Sequence, residues 1–154
     1  MTITALQAAK YLCKASVWRY THLELQKMIY IAHVIHLGRY DETLISGHFE
    51  AWDYGVVHPD LYRLLLEFGA DVIPQSFRAF KKCEDVINFS NEWISLETVR
   101  VSFPPRSGPH LIRFNHEHGK AWKKHYEKYH NNVIPSESMK EEFKTYAWSD
   151  EPSG

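Results

Sequence analysis

The sequence has only two cysteines, Cys13 and Cys83, in 154 residues. Two are too few for a disulfide scaffold, and their separation fits no metal-ligand spacing. A reducing cytoplasm is the expected compartment. No apolar run is long enough to span a bilayer, so no membrane association is expected. The first residues lack a basic segment followed by a long apolar stretch, so no signal peptide is expected either. Net charge is nearly absent, with 18 Lys and Arg against 19 Asp and Glu. That balance excludes a nucleic-acid binder that relies on bulk positive charge. Phosphate-cradling glycine loops, a Gly-x-Ser-x-Gly elbow, Cys-x-x-Cys and His-Glu-x-x-His are all missing. Nothing here positively supports catalysis, and no cofactor is expected.

What is present is an ordinary globular composition, 44% hydrophobic and 24% charged. The length suits one domain that buries roughly two thirds of its unfolded surface. Two features stand out: aromatics at 14%, with five tryptophans, and ten histidines. Aromatics fill small cores or make adhesive surfaces. Histidines serve metals, proton transfer or plain packing.

Periodicity predicts a mainly α protein, a compact single-domain bundle of about six helices. Thr4 and Gln7 have capping-box spacing, with Leu6, Ala9 and Cys13 behind them. Thr21 and Glu24 repeat the box. Leu25, Met28, Ile29, Ala32 and Ile35 then describe a helix with one buried face, ended at Gly38. Residues 48–54 suit at most a short minor β segment, with Gly55 as a turn residue. Pro59 opens a helix through Leu61, Leu64, Leu65 and Phe68, closed by Gly69. Phe77 and Phe80 suit a short helix. Residues 91–103 fit helix and strand equally well. Ser107-Gly108-Pro109 starts a helix, Asn115 to Gly119 is a polar break, and Ala121, Trp122, His125, Tyr126 and Tyr129 form another helical face. Met139, Phe143 and Tyr146 mark the last helix. A domain over residues 4–147 and a flexible tail over 148–154 follow from this pattern.

Several constellations could carry chemistry. His33 and His36 lie three apart on one helix without a carboxylate or cysteine to complete a metal site. His116 and His118 flank Glu117, but residues two apart do not share a helix face. Structural roles are favoured for both pairs, and no metal is expected. Cys13 falls on an apolar face and reads as core. Lys120, Lys123, Lys124 and Lys128 read as a solvated face. The first two helices admit a helix-turn-helix reading with Gln26 and Lys27 as base-reading candidates, although that helix lacks a basic face.

Three motifs carry a family resemblance. Thr21-His22-Leu23-Glu24-Leu25-Gln26-Lys27-Met28-Ile29-Tyr30 resembles the opening signature of the Panacea domain family, also called SocA-like or GepA-like. Glu50-Ala51-Trp52-Asp53-Tyr54-Gly55-Val56-Val57 with Leu61-Tyr62 resembles its second motif, with Val56 in place of a proline. Asn115-His116-Glu117-His118-Gly119-Lys120-Ala121-Trp122 resembles its third, with Asn115 replacing threonine and Ala121 replacing proline. The resemblance covers most of residues 4–147 and tips residues 91–103 toward helix.

The resemblance implies a non-enzymatic antitoxin that neutralises a toxin encoded by a neighbouring gene through direct contact. It also implies one alternative, an adaptor that delivers the toxin to a ClpX-type protease; the helix-turn-helix reading leaves a DNA-binding regulator as another. Nucleic acid is the less expected partner. The motif positions Leu25, Gln26, Lys27, Tyr30, Trp52, Tyr54, Gly55, Tyr62, His116 and Trp122 are the candidate partner-binding residues. A core role is favoured for Tyr30, Trp52 and Trp122, because large aromatics carry much of a small core's burial. His116 is expected to cap or link the helix break.

Overall fold

The structure, a computed structural model, describes residues 2–150. These residues form eight α-helices and a small three-stranded sheet, with the helix His22–Tyr40 at the centre of the helix packing. Helix α1 (Ala5–Ala15) opens with the expected capping box: Thr4 accepts from the Gln7 N–H, and Gln7 accepts from the Thr4 N–H. It closes through Val17 and Trp18, both at positive φ. The Trp18 N–H reaches back to the Cys13 carbonyl at 2.7 Å, a wide closure typical of left-handed helix ends.

Helix α2 (His22–Tyr40) begins with the second capping box, Thr21 and Glu24. The second Glu24 oxygen accepts from the Arg106 N–H at 3.1 Å, so the cap also holds a distant loop. The expected single buried face is wrong. Between His22 and Leu37 only Leu23 is exposed, because neighbouring elements surround the helix. The helix also runs past Gly38 and ends at Asp41, φ 54. Gly38 serves packing: a methyl group there would overlap the Phe143 ring.

Residues 48–54 hold the one short extended segment expected there, the central strand of a small three-stranded sheet. Strand β1 (Glu50–Trp52) pairs antiparallel with β2 (Gly55–Val57), with Trp52 opposite Gly55. Strand β3 (Asn132–Val133) covers the other edge of β1. Gly55 is therefore the first residue of β2, at φ 123, and Asp53 and Tyr54 make the turn. Helix α3 (Pro59–Leu65) starts at proline as predicted, with the His58 ring accepting from the Leu61 N–H. A 3-10 turn, Leu66–Phe68, carries it to Gly69.

Helix α4 (Arg78–Lys81) is the short helix at Phe80. Residues 91–102 are helix α5 (Asn91–Ser102), capped by the Ser90 hydroxyl and packed on α2. Helix α6 (Gly108–His118) continues through the stretch read as a polar break. Those polar residues lie on its outer turns, and only Gly119 interrupts it. A Cβ at Gly119 would strike the Asn115 carbonyl. Helix α7 (Lys120–His125) ends before Tyr129, which is exposed at positive φ and not part of a helical face. Helix α8 (Ser136–Phe143) packs on α2 and α7. Residues 147–150, which overlap the start of the stretch read as tail, form a 3-10 turn, and Trp148 packs against Phe114 and Tyr146. Residues 151–154 lie outside the described residues.

Candidate functional site

The three motifs come from distant parts of the chain and meet at one place. Helix α2 supplies Lys27 and Tyr30. The β1–β2 hairpin supplies Asp53, Tyr54, Gly55 and Val56. The α6–α7 corner supplies Asn115, His116, Gly119, Trp122 and Lys123. With Ile112 they line a pocket of about 250 Å³.

The hairpin is fixed to α7 by two hydrogen bonds. The Trp122 indole N–H donates to the Trp52 carbonyl at 2.7 Å, and the Tyr126 hydroxyl donates to Asp53 at 2.7 Å. Trp122 and Tyr126 stack with ring centroids 4.5 Å apart. Trp52 meets Tyr62 edge-on and donates its own N–H to Glu50 at 2.9 Å. Gly55 is required by its backbone and sits close to Lys27. Its φ disfavours any L side chain, and a Cβ there would sit 3.3 Å from Lys27 Nζ.

Beneath the pocket lies a buried polar cluster that sequence reasoning missed. The Glu142 carboxylate on α8 is only 1% exposed. It accepts from the Tyr30 hydroxyl at 3.1 Å, from the Ala121 N–H at 3.0 Å and from the Tyr146 hydroxyl. Burial holds its pKa above the usual carboxylate value, and these three donors oppose that rise. Glu142 thus ties α8 to α2 and α7 directly under the site. Its signal was present: it lies three residues after Met139 and four before Tyr146, on the apolar stripe.

Lys27 has the opposite character. It is 8% exposed and makes no hydrogen bond or ion pair among the described residues. Burial alone pulls its pKa down. Around it the rim is open and partly apolar, with Tyr54 89% exposed at the hairpin tip and Ile112 exposed on α6.

The ten candidate residues divide into three groups. Lys27, Tyr30, Tyr54, Gly55, His116 and Trp122 are brought together in this pocket. Gln26, Trp52 and Tyr62 lie on the other side of the hairpin, in an adjoining groove of about 310 Å³ that Lys27 and Tyr54 also line. Leu25 belongs to the core alone. Gln26 is structural: it accepts from the His58 N–H at 2.9 Å and donates to the His58 carbonyl. Of the residues favoured as core, Tyr30 is buried, while Trp52 and Trp122 are half-buried and face the grooves. Among the described residues no side chain caps α7, and the link expected from His116 is made by His118, whose Nδ1 lies 3.2 Å from Thr145 Oγ1. His116 itself is exposed on the pocket wall. Asp53, Val56, Ile112, Asn115, Gly119 and Lys123 line the pocket without being sequence candidates, because only the folded hairpin and corner place them there.

A family model described as Antitoxin SocA-like, Panacea domain, matches residues 25–131. The chain belongs to this family. Antitoxin SocA from Caulobacter vibrioides (strain NA1000 / CB15N) is 31% identical over 112 residues, covering 66% of this chain and 57% of that protein. The chain therefore spans little more than half the length of that curated relative. No solved structure matches.

In this Panacea domain the helix-turn-helix reading fails on burial. Gln26 and Lys27, its base-reading candidates, are 5% and 8% exposed and point into the fold. The paired histidines of α2 serve separate bonds. His33 Nδ1 accepts from the Ile45 N–H at 3.1 Å, and His36 Nδ1 pairs with Ser95 Oγ at 2.8 Å. Among the described residues no group of three or more His, Cys, Asp and Glu could hold a metal ion. No helix of the described residues is long and apolar enough to cross a membrane.

Proposed function

We propose that this protein is an antitoxin that neutralises a toxin encoded by a neighbouring gene by binding it directly. The binding face is the one carrying the Lys27 pocket and the hairpin tip. The convergence of all three family motifs on that face supports this reading most strongly. Shared motifs that served the core alone would be distributed through the interior; instead Tyr54, His116 and Trp122 reach an open rim. An exposed tyrosine beside a concave, partly apolar pocket is a suitable anchor for a protein partner. The relative's name, Antitoxin SocA, supports the same role. The role is one of binding, and it asks for no catalytic group.

Co-expression with the neighbouring gene tests this reading. The neighbour alone should arrest growth, and this protein should restore growth and co-purify with it. A harmless neighbour would overturn the antitoxin reading, and rescue without a complex would overturn direct neutralisation and favour delivery to a protease.

A further inference from the structure

The pocket floor presents one ammonium group without a counter-ion. Lys27 is buried between Tyr30, Gly55 and Val56, yet no carboxylate pairs with it. The acidic residue in the wall, Asp53, is held instead by the Tyr126 hydroxyl. Glu142, the buried carboxylate nearby in the fold, is occupied by Tyr30, Tyr146 and Ala121. The Lys27 stem is buried and its nitrogen opens to the pocket, since the one fully buried polar side-chain atom without a partner among the described residues is His36 Nε2. A cation set in a cleft without a counter-ion is a feature of binding sites. Lys123 and His116 on the rim add donors and no negative charge.

We infer that the pocket receives a single carboxylate presented by the bound partner, an Asp or Glu side chain or a chain terminus, with Lys27 as its counter-ion. Three observations define that chemistry. Lys27 and Lys123 against Asp53 leave the lining with one net positive charge, which a single carboxylate balances and a dianionic phosphate exceeds. The walls formed by Tyr30, Val56, Ile112 and Trp122 suit the apolar stem of a side chain. The volume of about 250 Å³ accommodates one side chain and not a folded loop. Gly55 keeps the approach to Lys27 clear, since a Cβ there would sit 3.3 Å from the ammonium nitrogen. The partner's identity as a protein rests on the antitoxin reading; the carboxylate site does not.

The test uses the full chain with lysines labelled at the ε-carbon and follows Lys27 by NMR. The probes are N-acetyl-glutamate amide, its neutral glutamine counterpart and inorganic phosphate at matched ionic strength. The acidic probe should move the Lys27 resonance saturably, at least tenfold more tightly than the neutral amide or phosphate. The same titration should move the Trp122 indole N–H. Lys27→Met should remove the Trp122 response while keeping the native near-ultraviolet spectrum. No response to the acidic probe, an equal response to the neutral amide, or tighter binding of phosphate would overturn the assignment. The wild-type titration stands even if the variant misfolds. It also needs no toxin, so it succeeds or fails independently of growth rescue. Loss of toxin co-purification in Lys27→Met identifies a partner carboxylate. Probe binding with undiminished co-purification would instead identify a free small carboxylate and overturn the partner as its source.

Discussion

Trp122 donates its indole N–H to the main-chain carbonyl of Trp52 at 2.7 Å, joining two motifs 70 residues apart in sequence. The bond fixes the hairpin against α7, and with it the mouth of the Lys27 pocket. Its donor is a side chain and its acceptor is backbone, so the partner carbonyl cannot be removed by substitution while the donor can.

Trp122→Phe removes that donor and weakens the stack on Tyr126. The expected loss is about 1 kcal/mol of stability. Amide exchange at residues 53–55 should accelerate, while α2 amides keep their protection. Unchanged exchange at the hairpin would contradict the anchoring role.

The buried histidines predict acid sensitivity. His33, His36 and His22 all have pKa values lowered by burial, His33 to about 3. A depressed folded value means stability present above the ordinary value of 6.5 and lost as pH falls through the range down to the folded value. Urea unfolding should therefore show stability falling from pH 7 toward pH 4, by up to about 1.4 kcal/mol per pH unit for each histidine involved. His33→Asn keeps an acceptor for the Ile45 N–H and removes one titration. Its slope should be shallower by one proton; an identical slope would show that His33 is not held neutral.

Glu142 predicts the opposite pH trend. Its raised pKa means a contribution fully present below the ordinary carboxylate value near 4.5 and lost as pH rises through the folded value. Glu142→Gln should gain stability relative to wild type as pH rises from 4 to 8. Glu142→Leu strands the Tyr30, Tyr146 and Ala121 donors and should lose on the order of 3 kcal/mol. Equal stability of the Leu and Gln variants would contradict the cluster.

Much of this was readable in the sequence, for identifiable reasons. Thr4 with Gln7 and Thr21 with Glu24 act within one helical turn, so spacing alone located both helix starts. Pro59 and the Met139–Phe143–Tyr146 stripe are equally local signals. The length of α2 was misread because Gly38 is normally a terminator, and here its missing side chain accommodates Phe143 from α8. Asn115 to Gly119 reads as a break because the stretch is polar, whereas a helix tolerates polar residues on its solvent side and α6 ends only at Gly119. The candidate partner-binding residues include six that line the pocket, but nothing in the sequence says that they share it. That depends on the hairpin folding onto α7, a contact made by Trp52 and Trp122 that no local pattern encodes.

Lys27 separates stability from function. Its partly desolvated, unpaired ammonium opposes folding near neutral pH, since a depressed lysine pKa marks a charge the fold would rather shed. Lys27→Met should leave stability unchanged or raise it by about 1 kcal/mol, and it should weaken partner binding. A loss of several kcal/mol in chemical denaturation would identify Lys27 as a structural residue.

Co-expression with the neighbouring gene, carried out on wild type and on Lys27→Met together, tests the central claim most directly. Wild type should restore growth and co-purify with the toxin, and the well-folded variant should do neither at equal abundance. Equal rescue and equal co-purification by the two proteins would contradict the claim that the Lys27 face binds the toxin.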